Sequence, residues 1–118
     1  MKQLYYDDVA VNDELPLLVK HPAPRQLVKW AAASGDYFEI HYDKDFARSQ
    51  GLPNIIVHGD LTAAFLVQMV TTWMGERGIF KKIRTTNLAM LYPDDDTICK
   101  GKVSKKYNEG DEHFIECE

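Results

Sequence analysis

From Leu61 to Met74 the chain is apolar at almost every position, broken only by Thr62, Gln68, Thr71 and Thr72. A helix-length stretch without a polar face predicts a helix buried on most of its surface. Asp60 suits its N-terminus, where a carboxylate complements the helix dipole, and Gly75 suits its C-cap. Such a helix runs for about four turns, roughly 22 Å, and needs other material wrapped around it.

Upstream, Leu27, Val28, Trp30, Ala31 and Ala32 predict a second helix that starts near Pro24 and stops at Gly35. Leu15 to His21 reads as a short strand, Lys44 to Ser49 as a short helix closed by Gly51, and Ile55 to Val57 as a short buried strand. Downstream the pattern turns to strands: Ile83 to Tyr92, Thr97 to Tyr107, and a further strand from His113. Pro93-Asp94-Asp95-Asp96 and Asn108-Glu109-Gly110-Asp111 punctuate them as turns. Helices first and an antiparallel meander afterwards is an α+β order. A long apolar helix enclosed by that antiparallel sheet is the natural way to bury both.

With 118 residues, the chain has room for one domain with one core. A net charge of -4 without a basic run argues against a nucleic-acid partner. Met1-Lys2 leads into Tyr5, Tyr6, Asp7 and Asp8 rather than an apolar signal segment, and no uncharged run reaches membrane-spanning length. Cys99 and Cys117 stand alone and read as reduced thiols in strands. A cytoplasmic protein, with no membrane partner, is the expectation.

The chemistry concentrates between the two helices. Ser34-Gly35-Asp36 is followed five residues after the Asp by His41, and Ile56-Val57-His58-Gly59 opens the long helix. Asp36 and His41 supply a carboxylate and an imidazole, groups suited to general acid/base work near neutral pH. Gly59 would offer a backbone N–H at a helix N-terminus, where a developing oxyanion is stabilised. His58 reads as structural. No His, Asp or Glu cluster has metal-ligand spacing on a common element, so a metal is not expected.

These motifs, in this order, resemble the MaoC-like acyl dehydratases, the (R)-specific enoyl-CoA hydratases of the hot-dog fold, over roughly Val11 to Cys117. The resemblance implies a hot-dog domain over residues 1–118, an antiparallel sheet wrapped around a long central helix. It also implies a lyase that hydrates a trans-2-enoyl-CoA reversibly to an (R)-3-hydroxyacyl-CoA. Asp36 and His41 would then hold the water and the Gly59 N–H the thioester oxygen. No cofactor is implied, coenzyme A entering only as part of the substrate. Lys81, Lys82 and Arg84 are candidates for its phosphates, or a solvated loop. Tyr37, Phe38 and Tyr42 either line an acyl tunnel or pack the loop. Two departures stand out: Phe38-Glu39 replaces the family's usual Asn-Pro, and Glu118 comes where members usually add a final strand. A homodimer is expected ahead of a heteromer with a second MaoC-like subunit. An acyl-CoA thioesterase and a non-catalytic hot-dog subunit are the other readings.

Overall fold

The computed structural model describes residues 2–118. In chain order its elements are β1 (Leu18–Lys20), α1 (Pro24–Ser34), α2 (Lys44–Ser49), α3 (Gly59–Met74), β2 (Thr97–Cys99), β3 (Val103–Glu109) and β4 (Glu112–Cys117). Single 3-10 turns occur at Tyr6–Asp8 and Glu39–His41. The strands form two ladders, β1 with β2 and β3 with β4. The chain gathers into two compact units: one takes the N-terminal residues to Leu18, Phe65–Ile83 and Ile98–Glu118, the other Val19–Ala64 and Arg84–Thr97.

The second unit is the one that carries Asp36 and His41. Its α1 starts with Pro24 in the first turn, where the missing N–H would have had no helical partner, and buries Leu27 and Ala31 on one stripe. Gly35 ends it at φ 78°, its N–H bonded to the Ala31 carbonyl at 2.9 Å. Asp43 caps α2 by accepting the Phe46 N–H at 3.0 Å. At its other end the N–H groups of Gly51 and Leu52 bond back to Arg48 and Ala47, a closure that needs Gly51 left-handed, at φ 85°. Both helices keep the bounds that the sequence pattern predicts.

Two expected strands in this region are not strands. Ile55, Ile56 and Val57 are buried, but their backbone is satisfied piecemeal. The Ile56 N–H bonds Ile40, and the Val57 N–H bonds Leu91. Residues 83–92 form no ladder, and Leu88 and Met90 stand exposed. Residues 83–90 are all exposed, without the alternation of a half-buried strand, and no described strand pairs with them.

In the first unit, β3 and β4 form an antiparallel hairpin with Tyr107 opposite Phe114 and a bulge between Val103 and Lys105. Gly110 opens its two-residue turn at φ 58°, the first central position, where a hairpin turn of the II′ kind calls for glycine. Thr97 to Tyr107 is thus two strands, β2 and β3, separated at Lys100-Gly101. Val9, Leu15, Phe65, Met69, Cys99 and Val103 are this unit's buried residues. Gln3 closes α3 by donating to the Met74 carbonyl at 2.8 Å and accepting the Arg77 N–H at 3.0 Å. Although α3 is apolar all round, only Leu61, Phe65 and Met69 are fully buried, one stripe at four-residue spacing. Its remaining apolar side chains are half-covered, less than the sequence leads one to expect, because this chain supplies cover for one face alone.

Candidate active site

The stop of α1 at Gly35 releases the chain into an exposed loop, and the first side chain on that loop is Asp36. Local hydrogen bonds hold it. The Asp36 N–H donates to Ser34 Oγ at 3.2 Å, and Ser34 in turn donates to the Trp30 carbonyl at 2.7 Å. Asp36 Oδ1 accepts the Phe38 N–H at 3.3 Å. One carboxylate oxygen is therefore engaged locally, and the other, Oδ2, lies 3.6 Å from His41 Nε2.

His41 ends the 3-10 turn Glu39–His41 and is buried, whereas Asp36 is partly open to solvent. Its Nδ1 lies 2.8 Å from the Ile56 carbonyl. A carbonyl only accepts, so Nδ1 carries the hydrogen and a neutral ring turns the Nε2 lone pair toward Asp36. An ionised carboxylate and an imidazole lone pair cannot hydrogen-bond each other. Both can accept from one molecule between them, and a water has the two hydrogens this requires.

Behind the dyad is a second imidazole. His58 is wholly buried and stacks on His41 with ring centroids 3.7 Å apart and planes 19° from parallel. Its Nε2 lies 3.4 Å from the Asp36 carbonyl, and its Nδ1 has no hydrogen-bond partner among the described residues. Burial, then repulsion from His41, pushes its pKa below the ordinary histidine value; the Asp36 carbonyl, Asp36 and Asp60 pull weakly the other way.

Asp36, His41 and His58 offer ligand atoms within 4.8 Å of one another, a cluster that the sequence hides because His58 lies 17 residues beyond His41. As arranged they do not fit a shared ion. Lone pairs on stacked rings run parallel, and a metal about 2.1 Å from a nitrogen of each would stand far out of both ring planes.

Gly59 is the first residue of α3, one peptide from His58. Asn87 was not a sequence candidate, yet its side-chain nitrogen fills the space where a Cβ on Gly59 would go. Nothing in a lone Asn on a strand-like stretch signals this. Tyr37, Phe38 and Tyr42 surround the dyad loop and are exposed. Phe38 sits edge-on to His41 at 6.3 Å and against Phe46 at 5.9 Å, and the Tyr42 hydroxyl donates to the Tyr37 carbonyl at 2.9 Å. At least Phe38 and Tyr42 therefore pack and tie the loop. Lys81 and Lys82 belong to the first unit and Arg84 to the second; all three are exposed and form no salt bridge among the described residues.

A family model described as MaoC like domain matches residues 6–115, and the chain belongs to that family. Its relatives give the class more detail. The 3-oxo-4,17-pregnadiene-20-carboxyl-CoA hydratase beta subunit of Mycobacterium tuberculosis is 34% identical over 95 residues, 80% of this chain and 73% of that protein. The fatty acid synthase beta subunit hexB of Dothistroma septosporum is 35% identical over 86 residues, 71% of this chain but 4% of the synthase. Among solved structures, a chain of the ChsH1-ChsH2 complex from M. tuberculosis superposes with a TM-score of 0.78 at 29% identity, covering 86% of this chain and 79% of that one. The (R)-hydratase from A. caviae involved in PHA biosynthesis superposes at 0.79, with 20% identity and coverage of 86% and 76%. The fold is the hot-dog fold: α+β, with antiparallel sheet and a long central helix. Among the described residues no helix is long and apolar enough to cross a membrane.

Proposed function

We propose that this chain is an enoyl-CoA hydratase that adds water reversibly to a trans-2-enoyl-CoA to give an (R)-3-hydroxyacyl-CoA. The observation that carries the reading is Asp36 Oδ2 facing His41 Nε2, 3.6 Å apart. That spacing suits one water accepted by both. In hydration the pair takes a proton from the water as its oxygen bonds to C3, and a proton is returned to C2 on the same face. Both groups finish as they began, and the addition is redox-neutral, so no oxidant or reductant is needed. Negative charge passes through the thioester oxygen, which the N–H at the start of α3 is suited to receive. The hydratase names of the M. tuberculosis and A. caviae relatives support the reaction class.

The working unit is an assembly of two hot-dog chains. The half-covered α3 and the exposed apolar side chains Leu88 and Met90 support this, since apolar surface of this kind marks association. The likeness to a hydratase beta subunit and to a two-component complex favours a second, different subunit over a second copy. The test is to follow the conjugated thioester absorbance of crotonyl-CoA and of a bulky enoyl-CoA on adding the protein. Loss of absorbance without free thiol supports hydration; thiol release indicates a thioesterase instead.

A further inference from the structure

We propose that His58 is a positioning residue for the dyad, holding the His41 ring by stacking and the Asp36 end of the loop by a hydrogen bond. The inference rests on the hydratase reading of Asp36 and His41.

Residues 36–41 form a loop whose Tyr37, Phe38 and Glu39 are exposed, and the packing of Phe38 against His41 and Phe46 does not by itself fix the Asp36 end. Instead, both ends of the loop are tied to one buried segment. At the His41 end, the Ile56 carbonyl accepts from His41 Nδ1 at 2.8 Å, and the Ile56 N–H donates to Ile40 at 3.0 Å. At the Asp36 end, the tie to that segment is His58 Nε2, 3.4 Å from the Asp36 carbonyl, long for such a bond. The face of the same ring covers His41 at 3.7 Å. One side chain thus touches both members of the dyad.

The choice of histidine here is informative. A carbonyl partner makes Nε2 the protonated nitrogen, which leaves Nδ1 a buried acceptor without a partner among the described residues. Orphaned buried nitrogens are rare, and an apolar ring of similar shape would avoid this one. Phenylalanine would keep the stack but lose the donor; glutamine would keep a donor but lose the face. Histidine supplies both. Its lowered pKa keeps it uncharged beside His41, so it orients the dyad without adding a competing cation.

The test uses His58→Phe and His58→Gln in the assembled protein. Each is expected to lower kcat by about 10- to 100-fold with little change in KM, the size expected of sub-ångström to ångström misplacement of reacting groups. In 15N-histidine spectra, His58→Gln is also expected to shift the His41 ring signals, because the facing ring is gone. Wild-type kcat in either folded variant overturns the proposal, as do unchanged His41 signals in His58→Gln. A fall in melting temperature with kcat per folded molecule unchanged marks a merely structural role and overturns it too. If wild type hydrates no enoyl-CoA, the hydratase reading fails, and the His41 signals still decide whether His58 holds the ring. Should both variants unfold, the wild-type tautomer decides: protonated Nε2 on His58 supports the proposal, and protonated Nδ1 overturns it.

Discussion

Removing the carboxylate or the imidazole is expected to change the chemistry while leaving most of the packing in place. Asp36→Asn and His41→Gln are each expected to cost at least ~10²-fold in kcat, the scale of a lost acid/base group, with circular dichroism unchanged. On the proposal that both groups act on one water, the double variant is expected to lose far less than the product of the singles. His58 adds a pH signature. Its pKa is lowered on folding, so the unfolded chain binds the proton more readily than the folded one. Its stabilising contribution is full above the ordinary value of 6.5 and is lost as pH falls through the lower folded value. Urea melts are expected to show wild type weakening below about pH 6.5 more steeply than His58→Gln, and parallel curves would contradict this. The closeness of Asp36 to His41 was legible because Ser34-Gly35-Asp36 and His41 lie within one short run. His58 was legible as a residue but not as a partner, since stacking on His41 arises only when the buried 55–58 segment folds against the loop.

The start of α3 shows how an element constrains a site. Gly59 has no unusual backbone angle, so its lack of a side chain reflects the space that Asn87 occupies. That neighbour is the end of an exposed side chain and can move aside. Gly59→Val is accordingly expected to damage turnover and acyl-CoA binding more than it lowers the melting temperature. Unimpaired turnover in a folded Gly59→Val would remove the oxyanion role from this position. A second element-scale expectation concerns α2. Asp43→Ala removes its N-cap bond and is expected to cost about 1 kcal/mol of stability in denaturant titration, an ordinary capping value. The helices were legible down to their ends because Pro24, Gly35, Gly51 and Gly75 are local signals that act within a turn. Ile55–Val57 and residues 83–92 were misread because a strand needs a partner, and pairing is not encoded locally.

For the whole molecule, exposed apolar surface is the dominant feature. Leu88 is 92% exposed and Ile79 74%, and the α3 side chains outside the Leu61–Phe65–Met69 stripe are half-covered. Light scattering is expected to show a dimer of this chain, or a soluble single chain that pairs on adding a second MaoC-like subunit. A fully active monomer at low micromolar concentration would contradict the assembly. The hot-dog class was legible from the order of elements and the two motifs together. The degree of cover on α3 was not, since it is set by long-range packing that no local pattern encodes. The central claim, that Asp36 and His41 hydrate an enoyl thioester, is tested most directly with the assembled protein and a trans-2-enoyl-CoA in labelled water. The account predicts falling conjugated absorbance, an (R)-3-hydroxyacyl-CoA carrying the label at C3, and no free thiol. Unchanged absorbance from the assembled protein across short and bulky enoyl-CoAs, or release of coenzyme A in place of hydration, would contradict it.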